Sequence, residues 1–587
     1  VVITAPAATG EVTVAGTPAR PWRDVVERAS PGVVMLAIVG LLYRPGWGSM
    51  ARTLPLNLGD PALNTWILAW QTHAVTDPSS WFDGNIFATH GSALGYSEVM
   101  LPLVPVFAIV YRLSDNPVLA HNVVLLVLLC LSMGCTYLLA RHLGVRRALA
   151  VAAATGFTFS SYTFVHLAHL QLMTLGLFPL CLLLWFRLLD RPQASRGLWF
   201  GVASAALVTG CLYYATIWVL SLLVLVGAHL VRSKGRPGAR WWRCVGLAGA
   251  VTTVLVLPVA IAYLRFQSEV DFQRPLVPEY GADASDVLAP SPGSYLYRTL
   301  ADAAGARPAA YEHAFFPGLL LLAGAVLAAV LLVATLGRRG GAGGARAAVD
   351  ARWWDLLALG LVAVVVAVGP DVAGLPAPFR LLYHHVPGFD SIRVPGRLII
   401  PALLVVVLAA ARALQWLFGA VGAGRAARLA VVAVVVLELA APLQRASAVP
   451  TPVERDLYAF IDDLPDAPIL HLPAASDAMG SVGVYGEDRR MLFSIGDWRL
   501  RFNGTSGGNP PGFAAEVDLV NRFPDPEALE FVRRHGLRFV VLHWSADGSG
   551  LTMPTPQAEA ILAAMAASVV HRDAGVAVLD LGAGSRG

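Results

Sequence analysis

The chain has 587 residues, with 43 Lys and Arg against 39 Asp and Glu, for a formal net charge of +4. Charged residues are 14% of the total and apolar residues 56%, where ordinary soluble domains carry about 25% charge. This balance excludes a soluble enzyme, a disordered chain and a nucleic-acid binder, and points to a polytopic α-helical membrane protein.

Residues 1–29 are polar and rich in Pro and Thr, with no signal-like apolar stretch before residue 30, and are expected to be a cytoplasmic N-terminal segment. The first span is expected at 31–48. A long segment follows to about residue 116. In it, Leu63, Trp66, Ile67 and Trp70 recur at i, i+3, i+4 and i+7, which predicts a helix lying on the membrane surface over 61–75. Residues 98–113 are also apolar but short, with Pro102 and Pro105 inside. Further spans are expected near 117–141, 148–164, 169–187, 197–212, 214–231, 243–264, 314–336, 353–371, 396–418 and 427–444, about 11 in all. The segments 197–212 and 214–231 also read as one long bent helix.

Arginine placement sets the topology. With 98–113 as a second interfacial helix, the arginine-bearing loops 141–147, 187–196, 232–243, 338–352 and 425–428 share one side with Arg20, Arg23 and Arg28. That side is the cytoplasm. The outer side then receives 49–116, 265–312, 372–395 and 445–587. The stretch 340–349 reads as a flexible cytoplasmic Gly/Ala loop. Residues 30–445 are expected to form the transmembrane domain and 446–587 an extracytoplasmic α/β domain. In the latter, helices are expected at 452–463 and 524–535, strands at 468–472 and 538–543, and a hairpin at 573–580. The five cysteines lie in or beside apolar runs and read as small buried residues rather than metal ligands.

Polar residues crowd the outer side. Asp60 precedes Pro61, which is how many helices start, but a carboxylate at the lipid boundary also suits a general base toward a hydroxyl. Asp83, Asn85, His90 and Glu98 share its loop. Glu98 reads either as a helix N-terminal carboxylate or as a binder of ligand hydroxyls or second acid. His166, His169 and Gln171 fall within six residues at one outer junction. They suit phosphate or ligand hydroxyls better than a metal, because two histidines lack a third ligand. Loop 265–312 brings Glu269, Asp271, Arg274, Glu279, Tyr280, Tyr295, Tyr297 and Glu312. Loop 372–395 brings Arg380, His384, His385 and Arg393, and Arg397 opens the next span. Tyr213 and Tyr214 lie at an outer turn, and Trp498, Asn503 and Asn509 lie in a Gly/Pro-rich loop suited to closing over a ligand.

The layout is similar to the GT-C superfamily of polyprenyl-phosphate-sugar-dependent glycosyltransferases. Gly59-Asp60-Pro-Ala-Leu-Asn-Thr-Trp-Ile-Leu-Ala-Trp70, Phe82-Asp-Gly-Asn-Ile-Phe87, Tyr96-Ser-Glu98, His166-Leu-Ala-His-Leu-Gln171, Arg393-Val-Pro-Gly-Arg397 and Phe502-Asn-Gly504 also resemble an uncharacterised bacterial family of glycosyltransferase-like membrane proteins. The resemblance implies that Asp60 is the essential acidic residue of the first outer loop. It implies a lipid-linked sugar donor, a glycan or glycolipid acceptor, and no nucleic acid. A lone Asp in place of an acidic pair does not indicate a divalent metal, and no cofactor is required. Glu98, His166, His169 and Gln171 are then substrate-binding candidates. Arg393 and Arg397 would meet the donor phosphate, offsetting the cost of burying an arginine, about 2.5–3.5 kcal/mol at mid-membrane.

The expected function is an inverting, envelope-building glycosyltransferase of a bacterial plasma membrane, acting on its outer face. The rivals are a lipid or polysaccharide transporter and a non-catalytic envelope-assembly scaffold. A transporter should carry ionisable residues deep in several spans, and such residues are scarce here.

Overall fold

The computed structural model describes residues 21–77, 79–270, 273–307, 309–337, 351–372, 374–544 and 550–582. Residues 1–20, Asp271 and the Gly/Ala stretch 340–349 lie outside the described residues. The chain starts with α1 (Pro21–Leu42), β1 (Thr53–Pro55), α2 (Asp60–Ala74) and α3 (Val104–Ser114). It continues through α4 (Pro117–His142), α5 (Arg147–Thr158), α6 (Ser161–Val165), α7 (Leu177–Asp190), α8 (Ala194–Gly210), α9 (Leu212–Arg232) and α10 (Ala239–Val270). Then come α11 (Arg298–Gly305), α12 (Leu319–Gly337), α13 (Ala351–Ala367), β2 (Asp371–Val372), β3 (Leu375–Pro376), α14 (Pro378–His385), α15 (Ile400–Ala420) and α16 (Arg425–Leu439).

A helix occupies each of the segments expected to span. Among the described residues, seven stretches are long and apolar enough to cross a membrane: Pro117–His142, Arg147–Val165, Leu170–Asp190, Leu212–Arg232, Ala239–Val270, Leu319–Leu336 and Pro395–Ala420. The chain is a multi-pass membrane protein. The apolar part of α1 is only Ser30–Leu42, and α8, α13 and α16 have 17, 17 and 15 residues. The pair α8 and α9 is two helices, broken where Cys211 is extended at φ −157°, ψ 121°. Tight packing of α8 on α10 follows from Gly197 and Gly201, one turn apart. A Cβ at these positions would come within 2.5 Å of the Cys244 carbonyl oxygen and 2.6 Å of that of Ala248. Small residues at this spacing let backbones approach where lipid supplies no hydrophobic drive.

The α2 segment departs from expectation. It is a helix, but 13 of its 15 residues are buried, polar ones included. It does not lie open on a membrane surface. Several of its polar side chains find partners inside the protein: Asn64 donates to the Ala168 carbonyl at 3.3 Å, Thr65 meets His121 Nδ1 at 3.0 Å, and Gln71 donates to the Val99 carbonyl at 2.5 Å. By contrast, α3 leaves Ile109 and Leu113 exposed.

After β4 (Arg445–Ser447), which pairs antiparallel with β1, the chain forms α17 (Pro452–Asp462), β5 (Ile469–Leu472), α18 (Gly480–Phe493), α19 (Phe513–Val520), α20 (Pro526–Arg534), β6 (Phe539–His543), α21 (Thr555–Ala564), β7 (Val569–Asp573) and β8 (Val576–Asp580). Thr451 and Glu454 close a reciprocal capping box on α17. The sheet order is β5-β6-β8-β7, with β5 parallel to β6 and the rest antiparallel.

The sheet continues beyond β5. The Ile469 amide donates to the Leu500 carbonyl at 3.0 Å and the Phe502 amide donates back to Ile469 at 2.9 Å. The first outer loop joins next. The Arg501 amide donates to the Asn85 carbonyl at 2.9 Å and the Ala88 amide donates to the Arg501 carbonyl at 2.8 Å. Asn85 also accepts from Trp66 Nε1 of α2 at 3.1 Å and donates to the Arg499 carbonyl at 3.0 Å. Trp498 stacks on His73 with centroids 4.6 Å apart and meets Trp70 at 5.7 Å. The first loop, α2 and the C-terminal sheet are therefore one interlocked body, sharing a contiguous apolar core with the helices.

Candidate active site

Asp60 is the first residue of α2, and Gly59, not Asp60, occupies the N-cap. The Gly59 amide is held by the Asn57 side chain at 3.0 Å, so the Asp60 carboxylate is not consumed in capping. It points instead to His169, with Oδ2 3.0 Å from Nε2. Its side chain keeps 47% of its surface open to solvent although burial is the largest influence on it, the signature of a group lining a cleft. Burial alone would raise this carboxyl, but the His169 hydrogen bond and charge, with Arg397 and Arg393 behind it, hold it below the ordinary aspartate value.

His169 Nε2 is also 3.2 Å from Arg397 Nη2. One nitrogen serves one partner at a time. As an N–H it donates to Asp60; deprotonated, it accepts from Arg397. Arg397 is 5% exposed. Its guanidinium makes two bonds to Glu312, Nη2 to Oε1 at 2.5 Å and Nε to Oε2 at 3.0 Å. It also lies 5.1 Å from the Tyr213 ring centroid. Glu312 further meets His166 Nε2 at 2.9 Å, and His166 Nδ1 lies 2.8 Å from the Tyr162 carbonyl, to which it donates. The burial of Arg397 is thus balanced inside the protein by Glu312, and needs no lipid phosphate to offset it. Arg393, by contrast, is exposed. Among the described residues it makes no ion pair; its guanidinium lies 5.7 Å from the Tyr280 ring centroid.

Gln171 accepts from Asn64, one turn along α2 from Asp60, at 3.4 Å. Glu98 accepts from the Leu212 amide at the start of α9 at 2.7 Å. Burial pushes its carboxyl up to about 7, against the bond from Leu212 and the charges of Arg397 and Arg274. Tyr214 is buried and donates to the Leu172 carbonyl at 2.8 Å. Arg380 is spent on Asp371 at 2.5 Å, and Asn503 on the backbone of His471 in the sheet, 2.6 and 2.9 Å away.

The sequence reading placed Glu312 among many loop residues and did not single it out. Its partners Arg397 and His166 lie 85 and 146 residues away, so no local pattern marks it. The ligand atoms of Asp283, Asp286 and His313 lie within 4.8 Å of one another. Arg307 already bridges the two carboxylates at 2.7 and 2.8 Å, so this group is a structural tie in its loop.

The profile of a family described as a domain of unknown function, DUF6311, matches residues 34–440. The chain belongs to the DUF6311 family. No curated protein matches it in sequence. In fold, this DUF6311 chain is similar to a mutant of the arabinofuranosyltransferase AftD from Mycobacteria, in two cryo-EM classes. For one, the TM-score is 0.56 at 15% identity, over 96% of this chain and 42% of that one. For the other it is 0.51 at 16% identity, over 94% and 41%. The archaeal oligosaccharyltransferase AglB from Archaeoglobus fulgidus, solved with an inhibitory peptide and a dolichol-phosphate, scores 0.49 at 14% identity, over 89% and 70%. The DUF6311 chain thus spans less than half the length of AftD. The chain shares its fold with AftD, in line with the glycosyltransferase-like layout read from the sequence.

Proposed function

We propose that this DUF6311 protein is a membrane glycosyltransferase that moves a sugar from a polyprenyl-phosphate donor to a hydroxyl of a glycan or glycolipid. The observation that carries this reading is the Asp60 carboxylate: ionised, open to solvent, free of capping duty and fixed by His169. Beside it, Arg393 is an exposed cation without a carboxylate partner among the described residues. A base and a phosphate-binding cation flanking one cleft suit this transfer.

In this reading the acceptor hydroxyl attacks the anomeric carbon while Asp60 takes its proton. The bond from that carbon to the phosphate oxygen breaks, and polyprenyl phosphate leaves with the electron pair. Configuration inverts. Arg393 meets the phosphate charge, and the Glu312-buttressed Arg397 holds His169 in place. Residues 30–445 carry the donor tail between helices. Residues 446–587 sit on the extracytoplasmic side of a bacterial plasma membrane, as the arginine distribution of the loops favours. No metal is needed for any step.

The test is a panel of polyprenyl-phosphate sugars offered to the full chain in nanodiscs, with release of polyprenyl phosphate as the readout. Wild type should turn over at least one donor, and Asp60→Asn should be slower by about 10²–10⁴-fold. Equal rates in both would remove Asp60 as the base.

A further inference from the structure

The two sides of Asp60 differ in charge. On the α15 side lie Arg397 and Arg393. On the other side lies α18, contributed by the C-terminal part of the chain. Its Tyr485 ring packs directly against Gly59: a Cβ on Gly59 would fall 2.5 Å from Tyr485 Cε1 and 2.8 Å from Cδ1. Glycine at this N-cap is therefore what lets the ring reach the edge of the cleft. Tyr485 nevertheless remains 43% exposed, as does Val482 one turn earlier at 55%. One turn later, Asp488 is 1% exposed. Its carboxyl bonds the Thr505 hydroxyl, and no basic side chain among the described residues pairs with it. Burial, with the charge of Asp60 as an added push, raises it well above the ordinary value, which favours its uncharged form.

The exposed Tyr485 and Val482 carry no charge with which to hold a phosphate, and an aromatic surface suits an uncharged polyhydroxyl ring. Sugar rings present apolar C–H faces to aromatic side chains and hydroxyls to polar neighbours. We propose that Tyr485, stacked on Gly59, is the platform for the acceptor: a neutral glycan whose terminal ring lies on the exposed tyrosine face and whose hydroxyl reaches Asp60. The Asp60 neighbourhood is then divided, with the donor phosphate on the arginine side and the acceptor on the α18 side. This assignment rests on the transferase reading, but its test does not need turnover.

The experiment is saturation-transfer NMR on the full chain in nanodiscs, with neutral trisaccharides of mannose, galactose and arabinose as probes. At least one should contact wild type. Tyr485→Ala should weaken it about tenfold, and Tyr485→Phe, which keeps the stacking face, should stay within about threefold of wild type. Gly59→Ala should weaken it with Tyr485 still present, by pushing the ring off the cleft edge. The inference is overturned if no probe contacts wild type, if Tyr485→Ala binds as wild type does, or if Tyr485→Phe loses as much as Tyr485→Ala. A donor panel that stays silent while Tyr485-dependent binding persists would refute the transfer reaction alone. Turnover by wild type without Tyr485-dependent binding would refute the platform alone.

Discussion

Glu312→Gln is the sharpest probe of how the cleft is held. Glu312 is 2% exposed and receives two N–H groups from Arg397, with His166 Nε2 2.9 Å away. The substitution preserves size and one acceptor oxygen but leaves the buried guanidinium without a counter-charge. Removing one partner of a buried pair costs about 3–5 kcal/mol. The retained acceptor argues for the lower end, about 3 kcal/mol, or more than a hundredfold in the unfolding equilibrium. Burial would raise the Glu312 carboxyl, but Arg397 and His166 hold it well below the ordinary glutamate value of 4.5. A carboxyl depressed in the folded state contributes its full stability above the unfolded value and loses it only as pH falls through the lower, folded one. The deficit of the variant should therefore be flat from about pH 5 to about pH 8. Denaturant titration in detergent micelles, followed by tryptophan fluorescence, reads this directly. The double variant Glu312→Gln/Arg397→Met should recover most of the loss, because it removes the orphaned charge. A single variant within about 0.5 kcal/mol of wild type, or a double variant no better than the single, would refute the reasoning.

Glu98 behaves oppositely. Its carboxyl is raised to about 7, so the stability of its neutral form is complete below the unfolded value of 4.5 and is lost as pH rises through about 7, by at most about 3 kcal/mol. Thermal unfolding midpoints should therefore fall as pH rises from about 5 to about 8, and Glu98→Gln should flatten that slope. His169→Asn should move the acid limb of the pH–rate profile to higher pH, since Asp60 loses its principal stabilising partner; an unmoved limb would show that the arginines suffice. Asn85→Ala should strip Trp66 and the Arg499 carbonyl of partners, cost about 1–3 kcal/mol, and speed limited proteolysis within residues 496–512.

Apolar runs in the sequence sufficed to place the helices, because a span must satisfy its backbone within itself. Strands β5 and β6 were legible from alternation and flanking turns. The helix α18 was not, because Gly480, Gly483 and Gly486 lower its intrinsic propensity, and packing on α2 overrides that. Burial of α2 was misread for a related reason. Its apolar stripe looks like that of a surface helix, and the partners of Asn64, Thr65 and Gln71 lie 28 to 107 residues away in sequence. Asp60, His169 and Arg397 were each singled out from local pattern. Their assembly around Glu312 depends on contacts across 85 to 228 residues, which no local pattern encodes.

The extended segment at residues 499–502, which pairs with the first loop, also sets a timetable. Asn85 waits for Arg499, 414 residues further along. At a synthesis rate of about 5–20 residues per second, the first loop stays incomplete for roughly 20–80 s after it leaves the ribosome. During that interval its unpaired backbone at 85–88 is an open template for wrong partners. A membrane-inserted chain that stops short of residue 498 would carry α2 without Trp498 and Asn85 without its Arg499 partner, a surface that the finished protein keeps covered.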